Sequence, residues 1–208
     1  MKKAAADEKS WRAGSPHEAR RAVFKLGAVP RKCRLFSVAC CRLAIKDIRN
    51  PDCHALIDLV ERRADDDSLA ADVAKLRRKV HRWAGSARIS LAQARGWYAL
   101  YAAWNAADPQ SRAPVHGFLH SHRFRDLLAE VYGPRNGGAT FSPAWRTSTA
   151  VSLASQMYES RDFGAMPILA DALQDAGCTS DAILNHCRDP HATHVLGCWV
   201  VDLVLGKV

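Results

Sequence analysis

The sequence lacks the long apolar run that a membrane-spanning helix needs. None of its apolar stretches reaches about 18 residues. The first residues include Lys2 and Lys3, but the chain turns acidic at Asp7 and Glu8, where a secretory signal is apolar. We therefore expect a cytoplasmic protein that has no membrane partner.

A recognisable catalytic motif is also missing. Gly137-Gly138 is not followed by Lys and Ser or Thr, so this pair is not a phosphate-binding loop. The acidic run Asp65-Asp66-Asp67 directly precedes Ser68, a position where carboxylates cap a helix and favour its dipole. We assign no catalytic residue and expect a protein that is not an enzyme.

The composition is that of a globular protein, with 48% hydrophobic and 25% charged residues. The seven cysteines are an odd number and follow no export signal, so we expect reduced thiols rather than a disulfide framework. Free cysteine is among the most buried residue types. We therefore expect the thiols to lie in the core; they are Cys33, Cys40, Cys41, Cys53, Cys178, Cys187 and Cys198.

Helix-start signals recur along the chain, whereas strand alternation is scarce. Ser15-Pro16, Asn50-Pro51 and Ser142-Pro143 each combine a capping residue with a first-turn proline. Apolar residues follow at spacings of three and four, as in Leu35, Val38 and Ala39. The sequence predicts an all-α fold of nine or ten helices in a compact bundle, with two packed sub-bundles as the alternative arrangement.

The charge divides the chain into a basic half and a nearly neutral half. Residues 1–104 carry 22 basic and 11 acidic side chains, and residues 105–208 carry 8 and 10. The turn-rich segment 108–114 lies at this change. We predict a basic N-terminal helical half, residues 1–107, and a neutral C-terminal half, residues 115–208. One continuous domain is equally compatible with the length.

The densest basic stretch gives the main functional hypothesis, a non-catalytic binding or accessory module. Its basic surface favours anionic partners, and we expect another protein as the partner. Nucleic acid is the alternative partner, because aromatic residues follow the cations and could stack on bases. The oligomeric state is not predicted. The residues proposed to bind anions are Lys75, Arg77, Arg78, Lys79, Arg82 and Arg88.

The C-terminal tail contains a cluster of residues that bind metals in other proteins. We name His186, Cys187, His194 and Cys198 as candidate zinc ligands. Their spacing matches no zinc finger, so we favour buried thiols, ordinary histidines and no cofactor. A zinc-dependent or thiol enzyme is the second alternative function. In the thiol version the nucleophile is Cys40 or Cys41, activated by nearby arginines.

The same tail contains apolar residues spaced for burial. The interval from His194 to Leu205 reads as one last helix. We expect seven large side chains to form the C-terminal core: Trp145, Ile168, Leu169, Leu173, Trp199, Val200 and Leu203.

Two blocks carry a resemblance to a family of bacterial proteins. Residues 31–42, RKCRLFSVACCR, are similar to the family pattern R-K-x-R-L-F-x-x-A-C-C-R. Residues 166–207 resemble a pattern that contains M-P-I-L-A-D-A-L, A-G-C, H-C-R and G-C-W-V-V-D-L. The family has no established activity, so the resemblance implies no reaction, cofactor or site.

Overall fold

The computed structural model describes residues 30–44, 49–86, 122–134 and 139–207. All regular structure in these ranges is helical, with no β-strand, which confirms the all-α class for this part of the chain. The predicted count of nine or ten helices for the whole chain stays a prediction. The eight α-helices described are α1 (Pro30–Ala44), α2 (Pro51–Arg63), α3 (Ala70–Ser86), α4 (His122–Tyr132), α5 (Ser148–Ser160), α6 (Met166–Asp175), α7 (Asp181–Arg188) and α8 (Trp199–Leu205).

Within the described residues the chain divides into two compact units, an N-terminal unit that ends at Phe124 and a C-terminal unit that begins at Arg125. The predicted boundary segment, residues 108–114, lies outside the described residues, so the proposed domain limits stay a prediction. None of the described helices has both the length and the apolar character needed to cross a membrane.

In the N-terminal unit, α2 packs against both α1 and α3. The Asn50 side chain accepts a hydrogen bond of 2.8 Å from the Asp52 amide, which confirms the predicted cap of α2. Asp66 accepts a bond of 3.0 Å from the Ser68 amide at the short 3-10 turn before α3. The core contains Leu35, Phe36, Cys40, Cys41, Cys53, Leu56, Ile57, Val60, Val73 and Val80.

In the C-terminal unit, α5 packs on α6 and α8, and α7 packs on α6 and α8. The apolar faces of α5 to α8 share one core, in which Leu169, Leu173, Trp199 and Val200 are buried. Gly133 ends α4 with a positive φ of 73°, and a Cβ at this position would lie 3.1 Å from the Trp199 ring. A glycine is needed there both for the backbone conformation and for this close approach.

Three details of the predicted C-terminal half are wrong. The last helix begins at Trp199 rather than His194, because Gly197 has a φ of 93° and interrupts the helical backbone. Ile168 is 58% exposed, although its apolar character predicts burial. Ser142-Pro143 starts only a 3-10 turn, and the α-helix that follows is capped by Thr147.

Candidate metal centre

Four side chains with metal-binding atoms converge inside the C-terminal unit. One donor atom from each of Glu130, His186, His194 and Cys198 lies within 4.8 Å of the other three. No other group of three or more such residues occurs in the ranges that the structure describes. The four side chains are almost inaccessible, with exposures of 4% for Glu130 and His186, 8% for His194 and 0% for the residue Cys198.

The closest distances in this cluster match the edges of a small tetrahedron. His186 Nε2 lies 3.3 Å from Cys198 Sγ and 3.3 Å from Glu130 Oε2. His194 Nδ1 lies 3.2 Å from the same carboxylate oxygen. Tetrahedral zinc with bonds of about 2.0 Å to nitrogen and about 2.3 Å to sulfur separates neighbouring donor atoms by about 3.3–3.6 Å. Three of the six distances between donor atoms therefore match a tetrahedral zinc shell, and the other three are no longer than 4.8 Å.

Each ligand candidate comes from a different structural position. Glu130 lies on α4 and His186 in the last turn of α7. His194 lies in the segment between α7 and α8, which contains no regular secondary structure after Arg188. Cys198 is the N-cap residue of α8. An ion bound here would fasten the segment between α7 and α8 to α4.

The Glu130 carboxylate is oriented by a backbone amide. The Val195 N–H donates a hydrogen bond of 3.2 Å to Oε1, Oε2 lies 3.3 Å from His186 Nε2, and His194 Nδ1 lies 3.2 Å from both oxygens. Contacts of this kind orient metal ligands in many proteins. Aromatic rings cover the imidazoles, with Trp199 5.2 Å from the His186 ring centre and Phe163 6.2 Å from that of His194.

The geometry argues against a thiol nucleophile at Cys198. In a Cys-His-acid catalytic triad, one ring nitrogen of the histidine contacts the thiol and the other ring nitrogen contacts the carboxylate. Here the same atom, Nε2 of His186, faces both Cys198 and Glu130. Burial raises the pKa of the Cys198 thiol well above its ordinary value, and the charge and hydrogen bond of Glu130 raise it further. Without a metal this thiol stays protonated at neutral pH.

The other proposed nucleophiles are equally buried. Cys40 and Cys41 are both 0% exposed, and burial also raises the pKa of Cys40 well above its ordinary value. All seven cysteines lie in the described ranges, none forms a disulfide there, and all are buried, which confirms their predicted core positions. Thiol catalysis needs an accessible thiolate, so these two positions do not fit it.

The sequence identified three of the four converging residues and missed the fourth. Cys187, named as a candidate ligand, is not part of the group, because its side chain belongs to the apolar core of the C-terminal unit. The side chain of His194 is only 8% exposed. Glu130 was missed because it lies more than 50 residues earlier in the chain.

The predicted anion-binding residues are only partly brought together. Lys75, Arg78 and Arg82 are exposed on α3 at spacings of three and four, which places them on one face. Lys79 shares that face but pairs with Asp52 at 2.8 Å. Arg77 is half-buried, so it contributes less to this surface. Arg88 lies outside the described residues.

Comparisons with known proteins give no assignment for either region. No protein-family model, no curated protein and no solved structure matches the chain. The family resemblance drawn from the two sequence blocks therefore stays a prediction, and the functional argument rests on the geometry.

Proposed function

We propose that the C-terminal unit is a metal-binding module that takes a divalent transition-metal ion between Glu130, His186, His194 and Cys198. The observation that carries this proposal is the convergence of four buried donor atoms, with the closest pairs at 3.2 to 3.3 Å. Buried charged groups are ordinarily paired or bound to a metal. The preference for a metal-free tail was based on sequence spacing, which contains no information about Glu130.

Zinc-dependent thermal stability tests this proposal. The full chain is stripped with a strong chelator, and its melting temperature is measured before and after zinc is added. Zinc at about 100 times its Kd adds about 2.7 kcal/mol of stability. For a unit of fewer than 100 residues this corresponds to a rise of roughly 10–20 °C. Magnesium should give no rise, because it prefers oxygen ligands.

Two variants make the assay specific. Glu130→Gln keeps the shape of the side chain but removes the anionic ligand, so it should reduce the zinc-dependent rise. Glu61→Gln is the matched control, because Glu61 is a buried glutamate of the N-terminal unit that pairs with Arg42. The control should keep the full rise. If the stripped wild type melts at the same temperature with and without zinc, the proposal is wrong.

A second candidate function is supported by the exposed face of α3. Lys75, Arg78 and Arg82 offer three exposed cations, and Trp83, next to Arg82, is 39% exposed. Cations beside an exposed aromatic ring suit a single-stranded nucleic acid, which offers phosphates to pair and bases to stack. We propose this face as the surface through which the basic N-terminal half binds a macromolecule.

Salt-dependent binding of a labelled single-stranded oligonucleotide tests this second proposal. Replacing Lys75, Arg78 and Arg82 together by glutamate removes three phosphate contacts. The slope of log K against log salt should then decrease by about 2. Arg161→Glu, in the C-terminal unit, is the charge control and should bind as the wild type does. If the wild type binds no oligonucleotide at low salt, nucleic acid is excluded, and binding of an acidic polypeptide would point to a protein partner.

A further inference from the structure

We infer that the ion is zinc in a closed, four-coordinate structural site with no bound water, so that it anchors the segment between α7 and α8 and performs no hydrolysis. This inference rests on the proposed metal-binding function. A catalytic zinc ordinarily has three protein ligands and keeps the fourth position open. Here the protein itself offers four donors.

The donor types select the ion. One thiolate, two imidazoles and one carboxylate form a mixed set of nitrogen, sulfur and oxygen ligands. A thiolate disfavours magnesium and calcium, which take oxygen ligands. Zinc accepts all three atom types in tetrahedral geometry, and the closest donor atoms already have tetrahedral spacing.

The environment of Glu130 favours binding of the ion through one carboxylate oxygen. A carboxylate can bind a metal through one oxygen or through both. His194 Nδ1 lies 3.2 Å from both carboxylate oxygens, but Oε1 also accepts the Val195 amide, so we expect Oε2 to be the oxygen that binds the ion. A single carboxylate oxygen, two imidazoles and one thiolate complete a tetrahedron and leave no vertex for water.

The burial of the site also argues against a water molecule bound to the ion. The side chain with the greatest exposure among the four is His194, at only 8%. Trp199 lies against His186 and also against Gly133. A substrate could reach the ion only by displacing these side chains. The burial therefore suits an ion that stabilises the fold and not one that binds a substrate.

The structural role follows from what the ligands connect. Residues 189–198 join two helices without regular secondary structure, and they contribute His194, Cys198 and the Val195 amide. Glu130 comes from α4. The ion would thus add cross-links to a segment whose backbone forms turns but no helix or strand.

Cobalt substitution of the full chain tests the coordination. Cobalt(II) in this site should show the intense visible bands of a four-coordinate ion and a thiolate-to-cobalt band in the near ultraviolet. Neither set of bands should change when azide or cyanide is added, because no position is open. Bands of five- or six-coordinate cobalt, or bands that shift with the anion, would overturn the closed site. If cobalt and zinc both fail to bind, the proposed metal function itself fails.

A pair of cysteine variants assigns the sulfur ligand. Cys198→Ser should lose the near-ultraviolet band, whereas Cys187→Ser, which changes the neighbouring buried thiol outside the group, should keep it. Loss of the band only in Cys187→Ser would overturn the assignment. If Cys198→Ser fails to fold, the wild-type spectrum with and without azide still decides the coordination.

Hydrogen exchange tests the anchoring role in the unmodified chain. Amides in residues 189–198 should exchange at least about tenfold more slowly in the zinc form than in the stripped form, because the ion restrains this segment. Equal exchange in both forms would show that the ion does not hold the segment and would overturn the structural role.

Discussion

Truncation of Trp199 is the most direct probe of the C-terminal core. Trp199 is 4% exposed, and its ring centre lies 5.2 Å from that of His186. Its ring also packs against the backbone at Gly133. Trp199→Ala removes a large buried ring and leaves a cavity, which should cost about 3–5 kcal/mol. In a unit of fewer than 100 residues, this loss lowers the melting temperature by more than about 12 °C.

Urea unfolding followed by circular dichroism measures the loss, because the described part of the unit is helical. Two controls separate burial from residue type. Ile168→Ala changes a side chain that is 58% exposed and should shift stability by no more than about 0.5 kcal/mol. Trp199→Phe keeps most of the volume and loses no hydrogen bond seen within the described ranges, because the indole N–H has no partner there. Equal stability of Trp199→Ala and the wild type would refute this account of the core.

The remaining predictions concern the N-terminal unit and the thiols. Asn50→Ala removes the hydrogen bond that caps α2 and should cost about 1 kcal/mol of unfolding free energy, measured in urea; an unchanged midpoint would contradict the cap. Glu61→Gln should destabilise more than Asp58→Asn, because both acids bind Arg42 but only Glu61 is buried; the reverse order in thermal melts would refute this. All seven thiols should resist a thiol reagent at neutral pH until the protein unfolds, since all are buried and burial raises the pKa of Cys53 to about 11; rapid labelling of the native protein would be the contrary result.

Local signals made the helical class predictable. Asn50 and Asp66 cap the turns that the sequence assigns to them, because a cap depends on residues only two positions apart. Pro30 begins α1, at the first-turn position that proline favours. These features need no knowledge of how distant segments pack.

The complete set of candidate metal ligands could be recognised only in the folded structure. His186 and Cys198 are close enough in sequence to suggest a site, but their spacing alone favoured a metal-free tail. Glu130 becomes a ligand candidate only when α4 lies beside the α7–α8 segment. Residues 194–198 of that segment are predicted as helix, but the helix begins only at Trp199, after the positive φ of Gly197, and the His194 side chain contacts Glu130.

Burial of individual apolar residues was predictable only in part. Leu169 and Ile168 are neighbours on α6, and both were expected in the core. Adjacent residues on a helix point about 100° apart, so the helix that buries Leu169 completely leaves Ile168 exposed. Which of the two faces inward is decided by the helices packed against α6.

Elemental analysis of the untagged, purified full chain tests the central claim most directly. The account predicts about one equivalent of zinc per chain, which Glu130→Gln should reduce and Glu61→Gln should leave unchanged. Wild-type protein that contains no zinc, and that takes up none when supplied with it, would contradict the metal centre.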